Sequence, residues 1–452
     1  QFLSSLTKMS LYEAAVKVRG EGQDNTNIRD LFTRIGDAHV DKMRFEVDML
    51  IPLKSVSQLG QDVEANITSV RYTLELRYND EEKTLAIETE ELRPISIGDM
   101  TDSLKFKPSP EWRKTVLQGR RLATQPFIYT QDGIVKLAGG AKSGAPIQNV
   151  AAKMPYTVLS TAQASHPTAA VVKSAMGSWM LLQLETSSLR QSDSALAVRN
   201  SQLSERGRYL PATVFRLQRE AGDSADILQE LTNEIAKLIE GVEEISVEED
   251  TKRDLLTLVM RKKDGSILPA RALSDGTLRF LGLAVLLLDK KANAVLCLEE
   301  PENGIHPEKI RDILGLLRRI ACDTNLPVDN DNPLRQVIFN THSPDVVKEL
   351  NAEDLLMAQL ANYKPKPTAT KFMQRLRLGV EPNTWRSELK DGSGNLLYVP
   401  ISKQKIAAYL YGRTDEQENE PSHQNAATTQ KKKQKIKDLY PLQTSLFPRP
   451  NE

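Results

Sequence analysis

The sequence predicts an α/β protein with two parts, a mixed sheet flanked by helices and an antiparallel β lobe, and two sets of observations carry that reading. Two short apolar runs, 294–298 (AVLCL) and 337–340 (VIFN), each end in residues that can do chemistry: Glu299-Glu300-Pro301 and Thr341-His342-Ser343-Pro344. Runs of this length suit strands buried on both faces, as in a parallel sheet. Upstream, 43–51 (MRFEVDMLI), 69–78 (SVRYTLELRY) and 83–89 (KTLAIET) alternate apolar with polar side chains, the pattern of antiparallel strands with one wet face.

Taken in order, residues 1–17 read as one helix with no cap in front of it, and 20–27 as a polar, flexible stretch. Asn79-Asp80 marks the turn between the second and third antiparallel strands. Residues 93–152 carry scattered Pro and Gly, with one strand-like stretch at Phe127-Ile128-Tyr129. Arg113, Lys114, Arg120 and Arg121 surround Trp112, which reads either as a phosphate-contacting patch or, more simply, as a solvated helix face. A helix is predicted over 170–184, with Val171, Ala175, Trp179 and Leu182 near one side, and an amphipathic helix over 223–241. Strands follow at 245–248 and 255–260, closed by Asp264-Gly265. No heptad pattern persists, so a long coiled-coil arm is not expected. Residues 415–430 read as a polar linker, and 431–437 as a basic run that either meets nucleic acid or is merely solvated.

The chain has 452 residues, enough for two or more core-bearing units. Its 60 basic and 60 acidic residues cancel, so a nucleic-acid surface must be a local patch. The two cysteines, Cys297 and Cys322, suit a reducing cytoplasm, and Cys297 reads as a small core residue. No apolar run reaches the ~18 residues that a membrane span needs.

The chemistry concentrates between Arg271 and Leu350. Ser274, Gly276 and Thr277 open an apolar helix over 278–288. A helix N-terminus offers free N–H groups and a positive dipole end, hence an anion site, although a simple Ser274 N-cap explains the same residues. Glu299 and Glu300 sit at the carboxyl end of a strand, where open α/β sheets bind ligands. Alternation along the strand points them different ways, one toward a metal-bound water and one toward an attacking water. A solvated acidic turn is the plainer alternative. His342 follows the second apolar run, and a lone histidine is more often structural than catalytic.

These pieces in this order resemble the second half of an ABC-class ATPase head. LSDGT (273–277) resembles that class's signature motif, 296–300 its Walker B strand with the catalytic glutamate, Asn303 to Pro307 its D-loop, and His342 its switch histidine. The wording LSDGTLR, EEPENGIHPE and NTHSP is most similar to the RecF-like and SMC-like group often called AAA-21 or AAA-15, over residues 203–350. The resemblance implies an ABC/SMC-type P-loop ATPase head that binds ATP and Mg2+. It implies that Ser274, Gly276 and Thr277, with Asn303 and His306, serve the nucleotide, that Glu299 supports Mg2+, and that Glu300 and His342 are catalytic. Its partners are a second copy in an ATP-sandwich dimer, a separate effector such as a nuclease or toxin, and DNA, with no membrane. Domains are expected at 1–95 (first lobe), 96–202 (insertion), 203–350 (second lobe), 351–414 (extension) and 415–452 (linker and basic tail).

The implied output is DNA work in repair or anti-phage defence, or else a nucleotide-gated scaffold that holds a toxin or nuclease with little turnover. Two departures stand out. Glu299 replaces the Asp usual in the class, and no G-x-x-x-x-G-K-[ST] loop occurs in the chain, Gly139 to Ser143 having the wrong spacing. A Walker A loop upstream of Gln1 is expected, the alternative being a degenerate ATPase that never had one. Gln163 is a candidate for the class's Q-loop glutamine.

Overall fold

The computed structural model describes residues 1–19, 27–35, 38–56, 60–119, 125–138, 149–222, 227–291, 294–363, 373–390, 394–411 and 435–436. The chain divides into two units, Gln1–Glu299 with Leu316–Phe339, and Glu300–Gly315 with Asn340–Glu452.

The first unit opens with α1 (Phe2–Ser5) and α2 (Leu11–Arg19) rather than one helix over 1–17. The break has a local cause. The Ser10 N–H donates to Glu13 Oε2 at 2.9 Å, and the Glu13 N–H returns to Ser10 Oγ at 3.2 Å. This capping box satisfies two otherwise orphaned donors and so starts a second helix. Next come a ribbon of β1 (Arg34–Ile35) and β2 (Ala38–His39), then β3 (Lys42–Leu50), then a ribbon of β4 (Lys54–Val56) and β5 (Asp62–Glu64). The long strands β6 (Ser69–Asn79) and β7 (Thr84–Pro94) form a hairpin whose turn is held by Asn79 Oδ1, which accepts the N–H groups of Glu81 and Glu82.

After α3 (Ile97–Ser103) and α4 (Pro110–Val116) come β8 (Ile128–Gln131), β9 (Ile134–Leu137) and β10 (Asn149–Val150). They complete an antiparallel sheet of order β10-β9-β8-β7-β6-β3. Helices α5 (Val158–Thr161) and α6 (Pro167–Gly177) follow. Leu11 and Ala14 of α2, Val171 and Met176 of α6, and Leu74, Leu76 and Leu92 of the sheet share one core cluster. Each such leucine taken fully out of water contributes roughly 1.5–3 kcal/mol.

Trp112 on α4 is only 3% exposed and its indole N–H donates to Cys322 Sγ at 3.3 Å. The aromatic of the supposed phosphate-contacting patch is thus a packing residue; Arg120 and Arg121 lie outside the described residues.

The helix predicted to run to 184 stops at Gly177, and Met180–Leu182 is instead a strand, β11. A Cβ on Gly177 would meet Thr7 Oγ1 at 2.9 Å, so the turn after α1 crowds that end of α6. Ser178 then closes the helix, its hydroxyl donating to Ala175 O. The chain continues through α7 (Thr186–Leu189), β12 (Asp193–Ser194), α8 (Leu210–Ala221) and α9 (Ile227–Ala236). A hairpin of β13 (Val242–Asp250) and β14 (Leu255–Lys262) is extended by β15 (Ile267–Pro269). Then come α10 (Asp275–Leu288), β16 (Val295–Glu299), α11 (Ile310–Ile320) and β17 (Gln336–Asn340).

A second sheet has the order β11-β16-β17, with β11 parallel to β16. Burial on both faces does not hold here. Leu296 and Leu298 are buried, but Val295 and Cys297 are only partly so, and Ile338 on β17 is 49% exposed. A sheet of three strands with β17 at its edge covers one side of each strand more than the other.

The second unit holds α12 (Pro344–Glu349), then β18 (Met357–Tyr363), β19 (Met373–Val380) and β20 (Val399–Pro400) in one sheet, and α13 (Lys403–Tyr411). Of the basic run 431–437, Lys435 and Ile436 are described. Lys435 Nζ pairs with Glu349 at 2.7 Å and Ile436 is buried, so these two residues dock on the end of α12. The linker 415–430 lies outside the described residues. None of the described helices is long and apolar enough to cross a membrane.

Candidate functional site

In the first unit the site begins at α10. Ser274 is its N-cap, with Oγ accepting the Thr277 N–H at 3.3 Å and lying 2.8 Å from Thr277 Oγ1. Gly276 and Thr277 occupy the first turn of the helix, and Ser274 is exposed. The turn is clamped by a residue that sequence reading missed. Arg190, just after α7, donates to Leu273 O at 3.0 Å and to the Asp275 carboxylate at 2.6 Å. That contact holds the Asp275 carboxyl below its ordinary value. Behind the turn, α10 is apolar almost all round, and Leu278, Phe280, Leu281, Leu283 and Val285 are buried. The exposed tip therefore stands on a rigid, buried helix.

The other end of α10 is fixed by buried charge. The Arg335 guanidinium donates to Leu286 O and Asp289 O, both at 3.0 Å, and so satisfies carbonyls that the helix leaves unpaired. Arg216 donates to Asp289 Oδ2 at 2.6 Å, with both side chains buried.

Glu299 is exposed at the carboxyl end of β16. Register pairs Leu182 with Leu298, so the residues that follow β11 and β16 emerge side by side. Gln183 Nε2 accordingly donates to Glu299 Oε2 at 2.8 Å. Gln163, the candidate drawn from the sequence, is an exposed residue before α6 whose carbonyl accepts the His166 N–H. The signal for Gln183 was available: Met180-Leu181-Leu182 is a third short apolar run ending in a polar residue, hidden because the helical spacing of 171–182 runs through it.

In the second unit, Glu300 adopts φ +42°, in the left-handed region that residues with a Cβ rarely enter. Such a backbone costs on the order of 1–3 kcal/mol and survives where neighbours over-determine it, often at functional sites. Here the Glu300 N–H is held by both oxygens of Asn340, Oδ1 at 3.0 Å and the carbonyl at 3.2 Å. Glu300 Oε1 lies 3.8 Å from His342 Nε2, and the histidine is 87% exposed.

Glu302 adds a second tie, its carboxylate accepting the Thr341 hydroxyl, which in turn accepts the Ser343 N–H at 3.0 Å. The turn tightens through Asn303 N–H to Glu300 O and Ile305 N–H to Glu302 O, with Gly304 at φ +75°. Asn303 and His306 are exposed in this turn, and His306 Nδ1 caps the short helical turn of Pro307–Lys309. The structure thus gathers Ser274, Gly276 and Thr277 on one helix tip, and Glu300 and His342 into one pair with Asn303 and His306 on the adjoining turn.

Among the described residues no group of three or more His, Cys, Asp or Glu side chains is arranged to hold a metal alone. A single carboxylate with an amide beside it fits Mg2+, which keeps several waters and takes substrate phosphate oxygens for the rest.

Residues 185–348 match the family model described as "AAA domain, putative AbiEii toxin, Type IV TA system". No curated protein matches the chain. Solved structures similar to parts of it include the SMC head domain from Thermotoga maritima, at 10% identity and TM-score 0.23, covering 68% of this chain and 73% of that one. The Smc head with an extended coiled coil, bound to the C-terminal domain of ScpA derived from Pyrococcus furiosus, is 10% identical at TM-score 0.26, covering 64% and 74%.

Proposed function

We propose that this protein is a slow ATPase of the RecF/SMC-like kind, in which ATP and Mg2+ close two copies into a dimer that works on DNA, in repair or as the ATPase subunit of an anti-phage system with a separate nuclease or toxin. The observation that carries this reading is the Glu300–His342 pair, an acid and a histidine brought together from two turns and held by Asn340 at a strained backbone position. The AAA-domain match over residues 185–348 supports it.

In this reading Glu300 orients the attacking water and takes its proton, and His342 donates to the terminal phosphate. Glu299, steadied by Gln183, would hold Mg2+, which would neutralise phosphate charge. Ser274, Gly276 and Thr277 would present a hydroxyl and helix N–H groups to the nucleotide of a facing copy, and Asn303 and His306 would also serve the nucleotide. Positioning and charge carry the rate, since phosphoryl transfer leaves the protein little covalent chemistry to do. No G-x-x-x-x-G-K-[ST] loop occurs within these 452 residues.

A second reading, a nucleotide-gated scaffold that restrains a toxin or nuclease, is favoured by the toxin–antitoxin wording of the matched family. Turnover measured with and without DNA separates the two.

The test of the chemistry is Glu300→Gln in the full gene product. It keeps size and removes the charge that polarises water. ATP should still bind, while phosphate release falls on the order of 100-fold or more. Unchanged release moves the base elsewhere and removes the observation on which the proposal stands.

A further inference from the structure

In the second unit the turn 300–305 and the segment 340–343 are joined at two points. One is the Glu300 backbone, whose N–H meets both oxygens of Asn340, Oδ1 at 3.0 Å and the carbonyl at 3.2 Å. The other is made of side chains. The Thr341 hydroxyl donates to Glu302 Oε1, and its own oxygen accepts the Ser343 N–H at 3.0 Å.

These ties lie beside the pair on which hydrolysis is proposed to depend. Asn340 and Thr341 are consecutive, and His342 follows them directly. On the facing turn, Glu300 and Glu302 flank Pro301, and Asn303 N–H to Glu300 O and Ile305 N–H to Glu302 O, each at 2.9 Å, fold the backbone back on itself. Glu300 Oε1 and His342 Nε2 stand 3.8 Å apart, too far for a hydrogen bond to one another. His342 is 87% exposed, so packing does little to fix it. Its place is set by the backbone beneath it, and Thr341 is the residue that fastens that backbone to the turn.

Glu302 has a second peculiarity. Its other oxygen, Oε2, is buried with no hydrogen-bond partner among the described residues. An unpaired buried acceptor is costly, and an apolar side chain of similar size would avoid that cost. A position that only filled space would gain nothing from a carboxylate. What the carboxylate adds is one strong bond to the Thr341 hydroxyl.

We propose that Glu302 is a positioning residue for the Glu300–His342 pair: through Thr341 it locks His342 at a working distance from Glu300. This role presupposes the ATPase reading above and names the side chains outside the pair that set its rate. Misplacing a reacting group by about 1 Å can cost on the order of 100-fold, and with the Asn340 tie still in place a smaller loss is expected.

The test measures phosphate release by the full gene product over a range of ATP concentrations, each rate divided by the nucleotide that the preparation binds. Thr341→Val should lower kcat about tenfold, with KM changed less than about threefold. Thr341→Ser, which keeps the hydroxyl, should restore most of the rate. Glu302→Leu should match Thr341→Val, and the double variant should be little slower than either, because the same bond is lost in each. A merely structural role gives additive losses instead. The sharper readout is a His342→Gln background. There Thr341→Val should cost less than about twofold, since the tie acts through His342. A full loss in that background, additive losses in the double variant, a parent-like Thr341→Val, or a serine variant as slow as the valine one overturns the proposal. Glu300→Gln in the same assay keeps the two claims apart. If it is slow while Thr341→Val is parent-like, the positioning role fails and the ATPase reading stands. If Glu300→Gln is unchanged, both fail.

Discussion

Glu90 shows what a single residue does in this protein. It lies on β7, fully buried, and accepts the N–H groups of Val158 at 2.7 Å and Leu159 at 2.8 Å and the Tyr72 hydroxyl at 3.2 Å. Burial pushes its carboxyl up from 4.5 to about 7, against the pull of those hydrogen bonds. The unfolded chain therefore gives up this proton at lower pH than the folded chain does. Stability from this site is greatest below about pH 4.5 and falls as pH rises through about 7, by up to roughly 3 kcal/mol. Glu90→Gln should remove that fall, so denaturant unfolding at pH 5 and pH 8 should show the parent losing more stability than the variant. Equal losses contradict the assignment. Nothing in the sequence around Glu90 announces this, because the residue occupies a polar slot in an alternating strand and its burial comes from α5, some seventy residues on. Ser274, Glu299, Glu300 and His342 were legible for the opposite reason: each follows a local boundary, a helix start or a strand end, that the sequence marks by itself. Arg190, Gln183 and Glu302 were not, since their roles exist only through partners distant in the chain.

Elements show the same division between local and distant causes. The hairpin β13–β14, the strands β3 and β6 and the helix α10 follow from periodicity and caps. The split of the first helix was also written locally, in Ser10 and Glu13, while the end of α6 depends on the approach of Thr7 to Gly177. The far end of α10 is a tertiary device, Arg216 and Arg335 meeting at Asp289. Removing one partner of a buried pair strands the other charge. Arg216→Met should therefore cost about 3 kcal/mol or more in denaturant unfolding. Adding Asp289→Asn should recover a good part of that loss. A single variant as stable as the parent, or a double variant no better than the single, shows that the pair does not hold the helix end.

For the whole molecule, the sequence overstated the burial of the sheet that carries Glu299. AVLCL and VIFN read as fully buried strands, whereas the sheet of β11, β16 and β17 leaves Cys297 half-buried and Ile338 half exposed. Local hydrophobicity reports that a segment is apolar, not how many layers cover it. In the proposed function, ATP acts by closing a dimer across the exposed tip of α10. Its most direct test is light scattering of the full gene product carrying Ser274→Arg, with and without a non-hydrolysable ATP analogue, beside a Ser274→Thr control that keeps the hydroxyl and the cap. The parent and the threonine variant should double in mass with the analogue, while the arginine variant still binds nucleotide but stays monomeric. If the arginine variant dimerises as well as the parent, LSDGT is only a helix cap and the account fails.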